Sequence, residues 1–582
     1  MSWNAWWPCR RRIGAIALGG AMAMAGCIGA IGDGGTGAGD APPLPPDSEP
    51  SESPLMKLST EQYRNTVTDL LAATGLTPML PTIEPFLASI PADGTDTFST
   101  LDDRIASEHF NAYWNVAIGI GDAIEADAVL REALAGACAT EGDLTDGCVD
   151  DFLRSFGRLV FRRPLTDAER ARYAELNDGE RSPAEAIRAM VVTLLVSPQF
   201  VNHVEVDGPS FQGRDDILQL TPYELASRLS YTLWRTMPDE ALFAAAEDGT
   251  LGTDEGFAAQ VDRLFDDPRA RDTIWQFYNE WFRLDRFAGF QTNRPGFQTL
   301  AEGENVGEEG YDHYGDMVRE VRDLVALVVW ENEGTLDELL TTNVSVTDSE
   351  ALARLYGVAP YDGEGDPPRF PEGERAGILQ RAALLANPLE QTNPFHRGAV
   401  VRRYVLCDSL PAPDPNALPP GSLDAPPIDA EATTRERFDA KVVGNNLCEG
   451  CHARFSDIGY VLEAYDALGR YRTIERVIDE ENGDVIAELP IDVDAPARIE
   501  AGDSSLVSGP AELNERIVAS GKVADCISEQ YFSYALRRKP GRETGDRNLE
   551  DQMAEATGAS LLEAFKTLVL HPSFKARKVG AP

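Results

Sequence analysis

The chain has 582 residues, 43% hydrophobic and 25% charged, a globular composition with enough material for several buried cores rather than a disordered one. Its 96 acidic and 52 basic side chains leave a formal net charge of −44. That field repels phosphate backbones and anionic bilayers, so nucleic acid is excluded as a partner, and a cationic protein would be attracted. An acidic surface also serves simply to keep an exported protein soluble.

Residues 1–27 read as a leader. Arg10, Arg11 and Arg12 precede a run of apolar and small residues over 13–25 that is too short to span a bilayer. The run ends in Met24-Ala25-Gly26-Cys27, which resembles a lipobox with Cys27 as the lipidated residue. Ile28, rather than an Asp, follows it, and by resemblance to sorting signals this points to the outer membrane. The expected location is therefore exported and lipid-anchored, at the outer membrane or facing the periplasm. No later segment reaches spanning length, so the membrane is expected to be met through the lipid alone. Residues 28–55, rich in Gly, Pro, Ser and Asp, read as a flexible linker.

Order is expected from Leu58, with Ser59 or Thr60 capping a helix whose Tyr63, Val67, Leu70 and Leu71 recur at helical spacing. With a second helix near 110–129 it makes a helical domain over 56–135. A further helical domain spans 136–208, with Thr166 capping one helix and an apolar helix over 183–201. Arg162-Arg163 reads as an ion pair at a domain joint. Residues 209–360 form an all-helical, aromatic-rich domain. There Thr221-Pro222-Tyr223-Glu224 starts a helix, Trp234, Trp275, Trp281 and Phe282 read as core, and a long helix lies near 311–330. Residues 361–505 contain a helix from Asn393-Pro394 to Cys407, a Pro-rich extended stretch over 411–427, and a β-hairpin around Asn482-Gly483. Residues 506–582 are helical again. Acidic pairs such as Asp102-Asp103 and Asp266-Asp267 read as helix caps and solvated surface. The expected fold is mainly α, a multi-domain helical protein with one small hairpin in the C-terminal region.

Eight cysteines fit an exported chain. Cys9 leaves with the leader and Cys27 takes lipid. Cys138 and Cys148 bracket a short polar loop, so their pairing is economical, and Cys407–Cys526 follows by elimination, with other connectivities open. The last two cysteines lie in Cys448-Glu449-Gly450-Cys451-His452. This is the C-x-x-C-H pattern: two thiols one helical turn apart can add to the vinyl groups of one porphyrin, and the next imidazole then ligates its iron. Alternatives are a structural disulfide, a redox dithiol or half a zinc site. No second Cys/His cluster supports zinc, and no alternating βα pattern supports a thioredoxin-like site.

Several stretches taken together resemble a known family. They are Tyr63-Arg64-Asn65, Phe161-Arg162-Arg163-Pro164-Leu165, Glu224-Leu225-Ala226-Ser227-Arg228-Leu229-Ser230-Tyr231 with Pro238-Asp239, Arg375-Ala376-Gly377-Ile378-Leu379, the C-x-x-C-H motif, and Tyr534-Ala535-Leu536-Arg537. In this order they are similar to the exported planctomycete-type cytochrome c proteins, built from consecutive domains of unknown function. The resemblance covers nearly all of residues 56–578. It implies a helical multi-domain protein with one covalent haem c and no established reaction. Two departures stand out: Ser456-Asp457-Ile458-Gly459 where the family commonly has Asp-Pro-Ile-Gly, and Leu536-Arg537 where it has Leu-Gly-Arg.

Neither Met nor His occurs from 453 to 552, so a small cytochrome with its distal Met downstream is not simply reproduced. Distal candidates are His396, which lies in the same expected domain, and Met317, Met553 and His571. If the sixth position is open, Arg470, Tyr471 or Arg397 are candidate distal polar groups. Three readings follow: a lipid-anchored electron-transfer haem protein with a redox partner protein, a haem enzyme acting on peroxide or an organic substrate, and a haem-free surface scaffold whose C-x-x-C is a disulfide. The six histidines are dispersed, which argues against a His-rich metal centre.

Overall fold

The computed structural model describes residues 49–579 apart from 95–97, 141–143, 207, 212–213, 288–289, 291–293, 302–311, 412–417, 419, 445 and 542–543. The leader, Cys27 and residues 28–48 lie outside the described residues, as does part of the Pro-rich stretch. Among the described residues there are twenty-five α-helices and nine short strands, so the fold is mainly α. None of these helices is long and apolar enough to cross a membrane.

Helix starts follow local chemistry. Ser59 with Gln62, Thr166 with Glu169, Ser182 with Glu185, Thr221 with Glu224 and Thr433 with Glu436 each form a reciprocal capping box. Each box satisfies two backbone N–H groups that a helix start leaves orphaned. The apolar faces of these helices then pack into two extensive cores. One gathers residues between Leu58 and Phe243, including Tyr63, Phe152, Phe156, Met190 and Phe200. The other runs from Phe98 to Phe574 around Trp234, Phe277, Trp281, Tyr531 and Phe565. Trp234, Trp281 and Phe282 are buried and Trp275 is partly so, which makes this aromatic load core rather than a cleft.

The strands are brief and mostly join distant parts of the chain. Strand β1 (Met56–Lys57) pairs antiparallel with β2 (Asn202–His203). Strands β3 (Ser210–Phe211), β4 (Arg214–Gln219) and β9 (Ala576–Lys578) form a sheet in the order β3-β4-β9. The expected hairpin is present as β5 (Ile474–Ile478) and β6 (Val485–Pro490), while β7 (Asp494–Ala495) pairs with β8 (Val507–Ser508). Both expected disulfides, Cys138–Cys148 and Cys407–Cys526, are formed, the second tying segments 119 residues apart.

Several expectations are corrected. The apolar helix over 183–201 stops just before Ser197-Pro198, where the sequence places its stop, and Pro198 opens a separate short helix, Pro198–Val201, because proline supplies no N–H to continue the ladder. The helix read to 330 ends as a π-helical turn, Leu327–Glu331, and the one read to Cys407 ends as another, Val401–Val405. Arg162 makes no ion pair among the described residues: it is buried, and its guanidinium donates to the carbonyls of Gln199, Phe200 and Asn202. Arg163 does pair, with Glu169. Asp267 caps a helix, but Asp102 is buried and accepts from the backbone of Gly94 and Arg104. Residues 49–55, read as linker, are packed on the body: Glu49 bridges Arg214 and Lys578, and the Ser53 N–H donates to the Lys578 carbonyl.

Candidate functional site

The C-x-x-C-H motif occupies a short helix, Asn446–His452. Its spacing puts Cys448 and Cys451 one turn apart on the same side. Both are half-buried, and they are the only free cysteines among the described residues. Ahead of the helix the Gly444 N–H donates to Glu449 Oε1 at 2.7 Å, fixing the entry of the chain. At the other end, Arg402 donates to the Arg454 carbonyl at 2.8 Å and Arg498 to the Ala453 carbonyl at 3.1 Å. Two cations thus satisfy carbonyls just past the helix, where the dipole favours positive charge.

His452 is held on three sides. Its Nδ1 lies 3.1 Å from Ser456 Oγ, one turn further on. Its ring centroid is 4.1 Å from that of Phe395 and 4.7 Å from that of Phe455. Burial, with Lys441 nearby, holds the imidazole below its usual range, so it is neutral near pH 7. With the proton on Nδ1, the hydrogen bond goes to the Ser456 hydroxyl oxygen and the Nε2 lone pair is left for a metal.

Phe395 reaches His452 because two helices cross closely. The Pro394–Val400 helix, capped by Asn393, packs on the Ser456–Val461 helix. A Cβ on Gly398 would run into the Phe455 carbonyl, and one on Gly459 into the Pro394 carbonyl, so only glycine fits either position. Next to Gly398, the buried Arg397 donates to the carbonyls of Leu385, Leu462, Tyr465 and Asp466 and to the Glu463 carboxylate. Burial lowers the Arg397 pKa and raises that of Glu463, which Arg397 and Arg472 pull the other way. Arg397 is therefore a stitch between helices and not a group presented to a ligand.

The distal candidates are dispersed. His396 is exposed, with Arg286, Arg397 and Arg403 as its charged neighbours, and neither a ring contact nor a hydrogen bond joins it to His452. Met317 and Met553 are buried in the aromatic core. His571 engages Ser573 through Nδ1 at 2.7 Å and Asn548 through Nε2 at 3.3 Å. Arg470 and Tyr471 line a cavity elsewhere. Among the described residues no group of three or more His, Cys, Asp and Glu is disposed to hold a metal ion.

A covalently attached haem fits the residues present: two free thiols on one helix face, followed by an imidazole whose inner nitrogen is engaged and whose outer nitrogen is available. Residue-by-residue reading missed Ser456, Phe395 and the two glycines. The short separation of Ser456 from His452 was the one signal available, since Ser456 opens the next helix after a three-residue turn.

Comparison with known proteins agrees with the order of the parts. Residues 148–205 match a family of unknown function, DUF1595 (PSD5), residues 220–358 match DUF1592 (PSD4), and residues 375–475 match DUF1588 (PSCyt3). The C-x-x-C-H motif falls inside the last match. No curated protein and no solved structure matches the chain. With these three domains consecutive and in order, the chain belongs to the multi-domain proteins of the planctomycete cytochrome c type.

Proposed function

We propose that this protein carries one haem c, attached through Cys448 and Cys451 with His452 as axial ligand, and that it transfers electrons at a membrane surface. The observation that carries the reading is the contrast among cysteines. Four are paired in disulfides, whereas the two of the motif stay free, one turn apart, beside an imidazole oriented by Ser456.

Haem bound there supplies a one-electron couple. The chain's own residues do the rest. Ser456 fixes the imidazole orientation, Phe395 and Phe455 wall off its faces, and Arg402 and Arg498 tie down the end of the helix. The net charge of −44 would steer a cationic redox partner toward the molecule. Lipid on Cys27 would hold the protein at the outer membrane, facing the periplasm. A second reading, a haem enzyme acting on peroxide or an organic substrate, is favoured by the engagement of Met317, Met553 and His571 elsewhere.

The test is expression with export in a host that matures c-type haem. A covalent pyridine-haemochrome band, lost in Cys448→Ala/Cys451→Ala, is the expected result. Carbon monoxide binding to the reduced protein selects the enzyme reading, and its absence selects the carrier. Folded protein without haem, with a Cys448–Cys451 disulfide by mass, overturns both and leaves a scaffold. Cys27→Ala should release the protein from the membrane fraction.

A further inference from the structure

A cavity of about 20 Å³ lies where Ser53, Pro54 and Met56, early in the body, meet Ser573 and Ala576 near its end. His203, Glu205, Arg228, Arg537 and Arg538 complete most of the wall. We propose that this cavity binds one halide ion, of the size and charge of chloride, on the Arg537 guanidinium. The proposal does not depend on haem.

An unmet donor is the first observation. Arg228 donates through Nε and Nη2 to the Glu205 carboxylate, and through Nη1 to the carbonyls of Phe574 and Ala576 at 2.7 and 2.9 Å. Arg538 forms a two-point pair with Asp546. Arg537 reaches Glu205 Oε1 with Nη2 at 3.2 Å, but its Nη1 is buried and has no hydrogen-bond partner among the described residues. The residue is 5% exposed, so bulk water does not serve that nitrogen. A buried N–H of a charged group left unmet costs more than an ordinary hydrogen bond contributes, so the site calls for an acceptor.

Unbalanced charge is the second. Glu205 is the carboxylate on the wall, and Arg228, Arg537 and Arg577 all act on it. The neighbouring acids are already engaged, Asp546 by Arg538 and both Asp93 and Asp102 by Lys57. Three guanidinium groups thus share one carboxylate, in a chain whose overall charge is −44. His203 registers the field. Burial, then Arg537, Arg162, Arg228 and Lys57, holds its imidazole well below the usual range, so it adds no charge of its own. An anion beside Arg537 offsets the buried excess.

Size and wall then select the ion. About 20 Å³ exceeds the roughly 10–15 Å³ that one water requires and leaves no room for a ring or a chain. Pro54, Met56, Leu536 and Ala576 give the wall an apolar part. A divalent oxyanion needs several donors at once to leave water. A monovalent halide is held by one charge-assisted bond and the surrounding field. Bound there, it would clasp the β1–β2 pair to β9, since Met56, His203 and Ala576 all border it.

Melting of the purified protein in sodium chloride, against sodium gluconate of equal ionic strength, tests this. Chloride should raise the melting temperature along a saturating curve, by roughly 2–4 °C in all. Bromide should act alike, and gluconate, too large to enter, should not. Arg537→Gln should abolish the response. A second measurement needs no variant: crystals of the parent soaked in bromide should show an anomalous peak within hydrogen-bond distance of Arg537 Nη1. Equal melting in chloride and gluconate overturns the proposal, and so does a chloride response that Arg537→Gln retains. Should that variant fail to fold, the bromide peak decides, and its absence from this cavity overturns the proposal.

Discussion

Gly398 and Gly459 face each other's helices at a crossing with no room for a methyl group on either side. That crossing brings Phe395 onto His452, so a backbone contact sets a side-chain geometry at the haem motif. Gly459→Ala should cost about 1–3 kcal/mol or more, as overpacking in a closed interface does. It should also lower the fraction of chains that acquire covalent haem. Denaturant melts and haemochrome yield per folded protein are the two measurements, and both should move.

Ser456 Oγ lies 3.1 Å from His452 Nδ1 and, with the proton on that nitrogen, is a neutral acceptor. Replacing it with a carboxylate, Ser456→Asp, should make the imidazole a stronger donor and shift the midpoint potential negative by on the order of tens of millivolts. Ser456→Ala should keep covalent haem but broaden the orientation of the ring. Spectroelectrochemistry measures the first effect. Nitrogen chemical shifts of His452 in the haem-free protein report the tautomer independently.

Glu205 is buried against Arg228 and Arg537, with its main-chain carbonyl accepting from Arg577. Burial would raise its pKa, but Arg228, followed by Arg537 and Arg577, pulls it down to about 2. Removing the carboxylate strands two buried guanidinium groups. Glu205→Ala should therefore destabilise the fold by about 3–5 kcal/mol. Urea melts of the variant against the parent decide it. The contribution of Glu205 is present above its unfolded pKa near 4.5 and is lost as pH falls toward about 2.

Glu550 behaves oppositely. Burial, with Glu529, Asp546, Asp551 and Asp525 close by, raises it from 4.5 to about 7. The folded chain holds a proton that the unfolded chain gives up between those values. Its contribution is therefore complete below about pH 4.5 and declines as pH rises through about 7. Glu550→Gln should stabilise the protein by about 1–2 kcal/mol at pH 8, allowing for solvent screening, and do almost nothing at pH 4.5. Thermal melts at the two pH values give the comparison.

What could be read from the chain alone was local. Capping residues such as Thr221 with Glu224 act within one turn, so they announced their helices directly. The hairpin around Asn482-Gly483 is equally local, and the Cys138–Cys148 pair, ten residues apart, was the economical choice, whereas Cys407–Cys526, 119 residues apart, stayed one connectivity among several until the fold closed it. Partnerships formed at long range were not legible. Strands β1 and β9 are two and three residues long and take their definition from partners far along the chain. Arg162 carries the same charge as Arg163, yet one serves backbone carbonyls and the other a carboxylate, a difference that depth alone decides. At the haem motif, the reactive residues were visible as a spacing. Phe395, which shapes their surroundings, looked like any other aromatic until the glycine crossing put it there.

Strand β4 takes β9 as a neighbour, and the Lys578 carbonyl accepts from Ser53. The segment at Ser53 is thus zipped to one 524 residues further along, where Arg577 also donates to the Ser53 carbonyl. The Arg228 guanidinium likewise waits for the carbonyls of Phe574 and Ala576. The body therefore closes only when residues 574–578 are in place, and a chain truncated before them would leave a sheet edge open and a buried cation unmet.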